Sequence, residues 1–311
     1  MWQRRMVGAA LSALLTAVVA AGLFTSAHAD SPLNPFNNIP WTAVTEDASG
    51  VEAAFNFARR QEEQQLGLNP GRLGQLDLPE QTEWNLKTDA EKAFFLMNAE
   101  RVARGGTGAR VLGLGFTAIQ NDVQALAQDY ANLLVNRNQF THVMDNRDPF
   151  DRIAEHPVLG PCSEFLSRAE NLALLGTSGG DIPLYLERAI FAWLYSDAGS
   201  NWGHRETILL QDRDLSNGDP DFGFKNNVGE QTNEGYIGIG VVETDGHYNP
   251  FDWQDLHYSV VIVMEMIDPS PAAGCPWPAA LPPTPTPQPT PTAASPPPSL
   301  DFHAFLPIAK S

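Results

Sequence analysis

Basic residues are scarce in this chain: 19 lysines and arginines stand against 37 aspartates and glutamates over 311 residues, a formal net charge of −18. Phosphate backbones and anionic membrane surfaces reward a basic face, so this balance argues against nucleic acid and acidic lipid as partners. Cysteine is nearly absent, with only Cys162 and Cys275 available. Beyond the N-terminal leader no apolar run approaches the length of a membrane span. No internal repeat appears at any solenoid period, and no helix-borne His-Glu-x-x-His is present. At ~100–200 residues per domain, the length leaves room for one large domain or two small ones.

What is present is unevenly placed. The start, Met1-Trp2-Gln3-Arg4-Arg5, runs into an apolar stretch from Met6 to Phe24 and then Ala27-His28-Ala29. A basic start, an apolar middle and a small-x-small cleavage site are expected of a secretory signal peptide over residues 1–29; the competing reading is a retained anchor. Losing its two arginines makes the chain more negative still. Export would place Cys162 and Cys275 in an oxidising compartment, where one disulfide closing about 110 residues is expected, with two unpaired thiols as the alternative. Eleven of the 25 prolines fall between Pro276 and Pro298, so residues 276–299 read as an extended Pro/Thr stalk. Residues 300–311 form a short apolar tail that resembles surface-sorting peptides of exported bacterial proteins, or simply frays.

Between leader and stalk, residues 30–86 read as an extension that wraps the main domain, with one short helix over residues 51–65. Residues 87–275 carry the stronger patterns. Thr88-Asp89-Ala90-Glu91 has capping-box spacing ahead of a helix ending at Gly105-Gly106. A second helix is expected from Thr117, with Ile119, Val123, Leu126, Ala127, Tyr130, Leu134 and Val135 on one face. Further helices are expected over residues 183–195 and 204–210, and β-branched strands over 236–242 and 257–264. Helices first and neighbouring strands afterwards predict an α+β layered domain.

Four segments in fixed order resemble a known family. They are Asn98-Ala99-Glu100-Arg101 in the first helix, Phe140-Thr141-His142 followed by Pro149-Phe150-Asp151-Arg152-Ile153, Glu170-Asn171, and Trp193-Leu194-Tyr195-Ser196 with His204-Arg205-Glu206-Thr207-Ile208-Leu209 and Gly238-Ile239-Gly240. The chain resembles the CAP superfamily of cysteine-rich secretory, antigen-five and pathogenesis-related proteins, in its bacterial SCP-like form, over residues 89–267. That resemblance implies a three-layer α-β-α sandwich with a groove into which His142, Glu170 and His204 project. Animal and plant members usually carry a second glutamate a few residues past the tryptophan, where this chain, as bacterial members often do, has Ser196.

Imidazoles bind divalent metals, and a carboxylate can orient a ring or take a proton from bound water. The groove is therefore expected to receive a small apolar ligand, a peptide or a divalent metal such as zinc on His142 and His204. The alternative is a metal-assisted hydrolase with Glu170 as base, and the plain reading is a set of hydrogen-bonded structural residues.

Two other motifs compete. Gly176-Thr177-Ser178-Gly179-Gly180 matches a nucleophile elbow, with Asp245 and His247 or Asp252 and His257 as partners, but the two long helices ahead of it do not suit an α/β-hydrolase. Asp212, Asp214 and Asp219 sit in an oxygen-rich loop that could take calcium, or could be merely solvated; the glycine is one residue late for an EF-hand, and Gly223 stands where its final glutamate belongs. Trp193, Trp202, Tyr236, Trp253 and Tyr258 could line a groove, though their spacing suits a core.

Overall fold

The computed structural model describes residues 34–107, 111, 113–162, 165–209 and 235–269. The two β-branched runs pair as an antiparallel ribbon, β3 (Tyr236–Thr244) and β4 (Tyr258–Pro269), with Tyr236 opposite Ile267 and Thr244 opposite Ser259. Strand β4 pairs along its other edge with β2 (Phe165–Thr177), also antiparallel, so that Glu170 faces Glu265. The two-residue β1 (Ala118–Ile119) lies parallel to the start of β3 and completes a mixed sheet of order β1-β3-β4-β2. The fold is therefore α+β, as element order predicted.

Strand β2 has no counterpart in the sequence reading. Its 13 residues hold leucine and alanine but no valine or isoleucine, so local propensity says little. Long pairing with β4 imposes the extended state instead.

Helix α3 (Asp89–Ala103) begins at the expected capping box: Glu91 N–H donates to Thr88 Oγ1 at 3.3 Å and Thr88 N–H to Glu91 Oε2 at 2.7 Å. Helix α4 (Asn121–Arg137) starts later than expected, because residues 118–119 are taken by β1 and the Gln120 side chain accepts from the Asp122 and Val123 amides. Its axis lies hard against β3. A Cβ on Gly238 would fall 2.3 Å from the Val123 backbone, and one on Gly240 would fall 2.2 Å from that of Ala127. Only glycine permits this approach. From the same helix, the Gln124 carboxamide binds both backbone groups of Ile239, and Gln128 does the same for Val241. These side chains satisfy the β3 edge where β1 has ended.

Strand alternation sorts the core into two layers. Ala169, Ala173, Leu175, Val260, Ile262 and Met264 pack with α1 (Ala48–Leu66), α3 and α6 (Tyr185–Tyr195). Leu172, Leu174, Val261 and Val263 pack with Ala127, Tyr130 and Leu134 of α4. Helices thus cover both sheet faces. Short helices α2 (Gln81–Leu86), α5 (Pro149–Glu155) and α7 (Gly203–Leu209) complete the described residues, with 3-10 turns at Gly160–Cys162 and Ala198–Ser200.

The N-terminal extension does more than wrap. Val51, Ala54, Phe55, Ala58 and Trp84 are core residues, and Phe55 meets Phe191 and Tyr195 edge-on at 5.5 and 5.9 Å. Arg59 and Glu62 of α1 enter a fully buried charge cluster. Arg59 Nε donates to Glu100 at 3.1 Å, Arg104 Nε to Glu62 at 2.9 Å, Arg205 Nη2 to Glu62 at 2.5 Å, and the Tyr195 hydroxyl to Glu100 at 2.6 Å. Burial alone would raise the Glu100 carboxyl, but Arg59 and Arg104 outweigh it and hold it at about 2.

Candidate functional site

Successive residues of a strand point to opposite faces, so β2 sends Glu170 toward α4 and Asn171 toward α7. On the Glu170 side, the segment after α4 is anchored by buried Phe140 and by the Tyr130 hydroxyl, which donates to the Thr141 carbonyl at 2.6 Å. That anchoring brings His142 Nδ1 to 2.7 Å from Glu170 Oε1. Pro149 and an Asp148–Asp151 capping box start α5 and present Arg152. The Arg152 guanidinium lies 3.4 Å from the centroid of the Tyr130 ring, binds Glu170 Oε2 through Nη2, and donates from Nη1 to the carbonyls of His142 at 3.0 Å and Arg147 at 3.2 Å. The His142 side chain keeps 17% of its surface exposed while that of Glu170 keeps 1%. A half-buried imidazole is thus oriented by a buried carboxylate whose other oxygen is held by arginine.

Sequence reasoning missed the residue behind Glu170. Glu265 of β4 is fully buried, sits directly across from Glu170, and among the described residues neither of its oxygens finds a hydrogen-bond donor. Burial first, then the charge and acceptor oxygens of Glu170, push its carboxyl well above the ordinary 4.5, against a smaller opposing pull from Arg152. The only trace in the sequence is one acidic residue between two methionines in an apolar strand.

His204 is placed differently. It is nearly buried in the first turn of α7, its Nδ1 is 2.7 Å from Asp197 Oδ1, and its amide donates to Asp197 Oδ2 at 2.9 Å. Asn171 Nδ2 donates to the His204 carbonyl at 3.1 Å, so this histidine is tied to the opposite face of β2 from Glu170. The sequence reading also passed over Asp197. Ser196 is half-buried and closes α6, its amide donating to the Ala192 carbonyl at 2.9 Å. Of the expected groove set, then, His142 and Glu170 meet, and His204 pairs with Asp197 instead. Among the described residues no group of three or more His, Cys, Asp or Glu side chains could hold a metal. The zinc-type set of His142, His204 and Glu170 is not assembled there, because Glu170 is committed to His142 and Arg152 and His204 to Asp197.

Ser178 is exposed in a bend after β2, an antiparallel edge strand, and α6 begins only at Tyr185. A nucleophile elbow needs a sharp turn from strand into helix. His247 is exposed and pairs with Asp245, and His257 is exposed as well. Asp212, Asp214, Asp219 and Cys275 lie outside the described residues, and Cys162 closes the Gly160–Cys162 turn. Trp193, Trp202 and Tyr236 are buried in the core, while Trp253 and Tyr258 are half-buried.

Beside the His142 pair, a cleft of about 230 Å³ opens between α4 and α5. Leu126, Tyr130 and Leu133 give it an apolar floor, and Asp129, Arg147, Arg152, Glu155 and His156 stand around it. Arg152 therefore belongs to both the cleft and the carboxylate network.

No family model matches the chain, and neither does any curated protein. Among solved structures it is similar to an outer surface protein from Borrelia burgdorferi, with 17% sequence identity, 59% of this chain and 98% of that chain covered, and a TM-score of 0.32. No helix among the described residues is long and apolar enough to cross a membrane.

Proposed function

We propose that the chain is an exported protein built on a CAP-type domain, and that this domain binds a small apolar ligand or a peptide side chain beside His142. The leader-like start supports export, and the apolar tail after the Pro/Thr stalk supports attachment at a cell surface. The ordered motifs, together with helices on both faces of the sheet, support the family reading. One observation carries the binding reading: Arg152 lines an apolar cleft on one side and on the other holds the carboxylate that orients a partly exposed histidine. A small apolar body with one polar end suits such a lining.

The test uses 1-anilinonaphthalene-8-sulfonate, an apolar anionic probe. Saturable fluorescence enhancement is expected with the wild type, and at least about tenfold weaker binding with Leu133→Glu, which sets a charge of the probe's own sign in the cleft at a half-buried position. Equal binding by both proteins would remove the cleft as the site. Calorimetric titration with zinc and calcium chloride, on wild type and on His142→Ala/His204→Ala, covers the competing metal reading. Zinc heat that disappears in the double variant would restore it.

A further inference from the structure

Among the described residues, Glu265 is a fully buried carboxyl of the His142 region whose role the groove reading leaves unexplained. It lies inside β4, fully buried, with Glu170 opposite it on β2 and Gly238 opposite it on β3. Among the described residues its surroundings offer little to a second negative charge. Gly238 brings no side chain, the Tyr130 hydroxyl of α4 donates to the Thr141 carbonyl, His142 turns its Nδ1 to Glu170, and Arg152 of α5 gives Nη2 to Glu170. Two facing carboxylates with one shared guanidinium cannot both stay ionised at low cost, whereas one acid and one carboxylate can share a proton.

We propose that Glu265 is a positioning residue of the His142 site: it remains a neutral acid in the folded protein and shares its proton with Glu170. The pair then carries one negative charge, which Arg152 and His142 hold in place. Arg152 and that charge cancel. That the pair serves a ligand site rests on the binding reading above; the proton sharing does not.

Carbon-13 NMR of the glutamate side-chain carboxyls, followed from pH 5 to 9 in the wild type and in Glu265→Gln, tests the proposal. Glutamine keeps the shape of the neutral acid. One carboxyl signal is expected to stay at the protonated position through neutral pH in the wild type and to be missing from Glu265→Gln. Urea unfolding provides a second readout. Above the ordinary carboxyl value, the wild-type folding constant should fall relative to that of Glu265→Gln by up to about tenfold per pH unit.

A wild-type spectrum with every glutamate ionised at pH 6 would overturn the proposal, and so would parallel stability profiles for the two proteins. If Glu265→Gln does not fold, the wild-type spectrum decides alone. A retained proton together with an anilinonaphthalene sulfonate probe that does not bind would leave the carboxyl pair standing and remove the groove.

Discussion

At the scale of single residues, one glycine and one glutamate hold the most leverage. Gly240 sits where any Cβ would strike the backbone of α4, and a helix backbone cannot move aside as a side-chain tip can. Gly240→Ala is expected to cost roughly 1–3 kcal/mol through overpacking, read as a lower urea midpoint at unchanged slope. Glu100 has the opposite dependence, on charge. Removing it leaves Arg59 and Arg104 buried with one fewer carboxylate, so Glu100→Gln should lose about 3–5 kcal/mol in equilibrium unfolding. A loss under about 1 kcal/mol would mean that the cluster is solvated in solution. Neither residue contributes through apolar area; each matters because of what would lie against its replacement.

At the scale of elements, the edge of β3 is closed by a helix. Gln124 and Gln128, one turn apart on α4, reach the amides and carbonyls of Ile239 and Val241 as a neighbouring strand would. Replacing both with leucine should leave those backbone groups unmatched, at about 1–3 kcal/mol for each buried group. Hydrogen exchange at the Ile239 and Val241 amides should speed up ahead of the rest of β3, and unchanged protection would show that β3 does not depend on the glutamines.

Helices α3 and α6 and strands β3 and β4 were legible in the sequence, because capping, period and β-branching all agreed there. Strand β2 was not, since its letters are those of a helix as much as of a strand. The start of α4 was misplaced for a related reason: β1 takes the residues before Gln120, and two-residue strands leave no periodic trace.

At the scale of the whole molecule, buried carboxyls of two kinds set the response to pH. Glu62 and Glu100 lie below their ordinary 4.5, so the stability they contribute is present above that value and is lost as pH falls below it, for Glu100 down to about 2. Glu187 and Glu265 lie above 4.5, mainly through burial, so their contribution is full below that value and declines as pH rises through the window up to their folded values. Together these groups put greatest stability near the ordinary carboxyl value, with losses on both sides. Urea midpoints measured from pH 3 to 8 check this, and a monotonic rise with pH would contradict it.

The same scale decides the domain boundary. A fragment starting at residue 87 lacks Arg59, Glu62, Phe55 and Trp84, and is expected not to fold, by circular dichroism, because Arg104 and Arg205 would be left buried without Glu62.

Sequence alone determined the α+β class, the capped helix α3, the C-terminal strand pair and the candidacy of His142 and Glu170, because each is written in local period, cap chemistry or motif order. Tertiary structure alone decided that Glu265 stands behind Glu170, that His204 belongs to Asp197, and that the N-terminal extension is part of the core. Those facts depend on strand register and on which face of β2 each side chain takes. A shift of one residue in that register would turn Glu170 and Asn171 to the opposite faces.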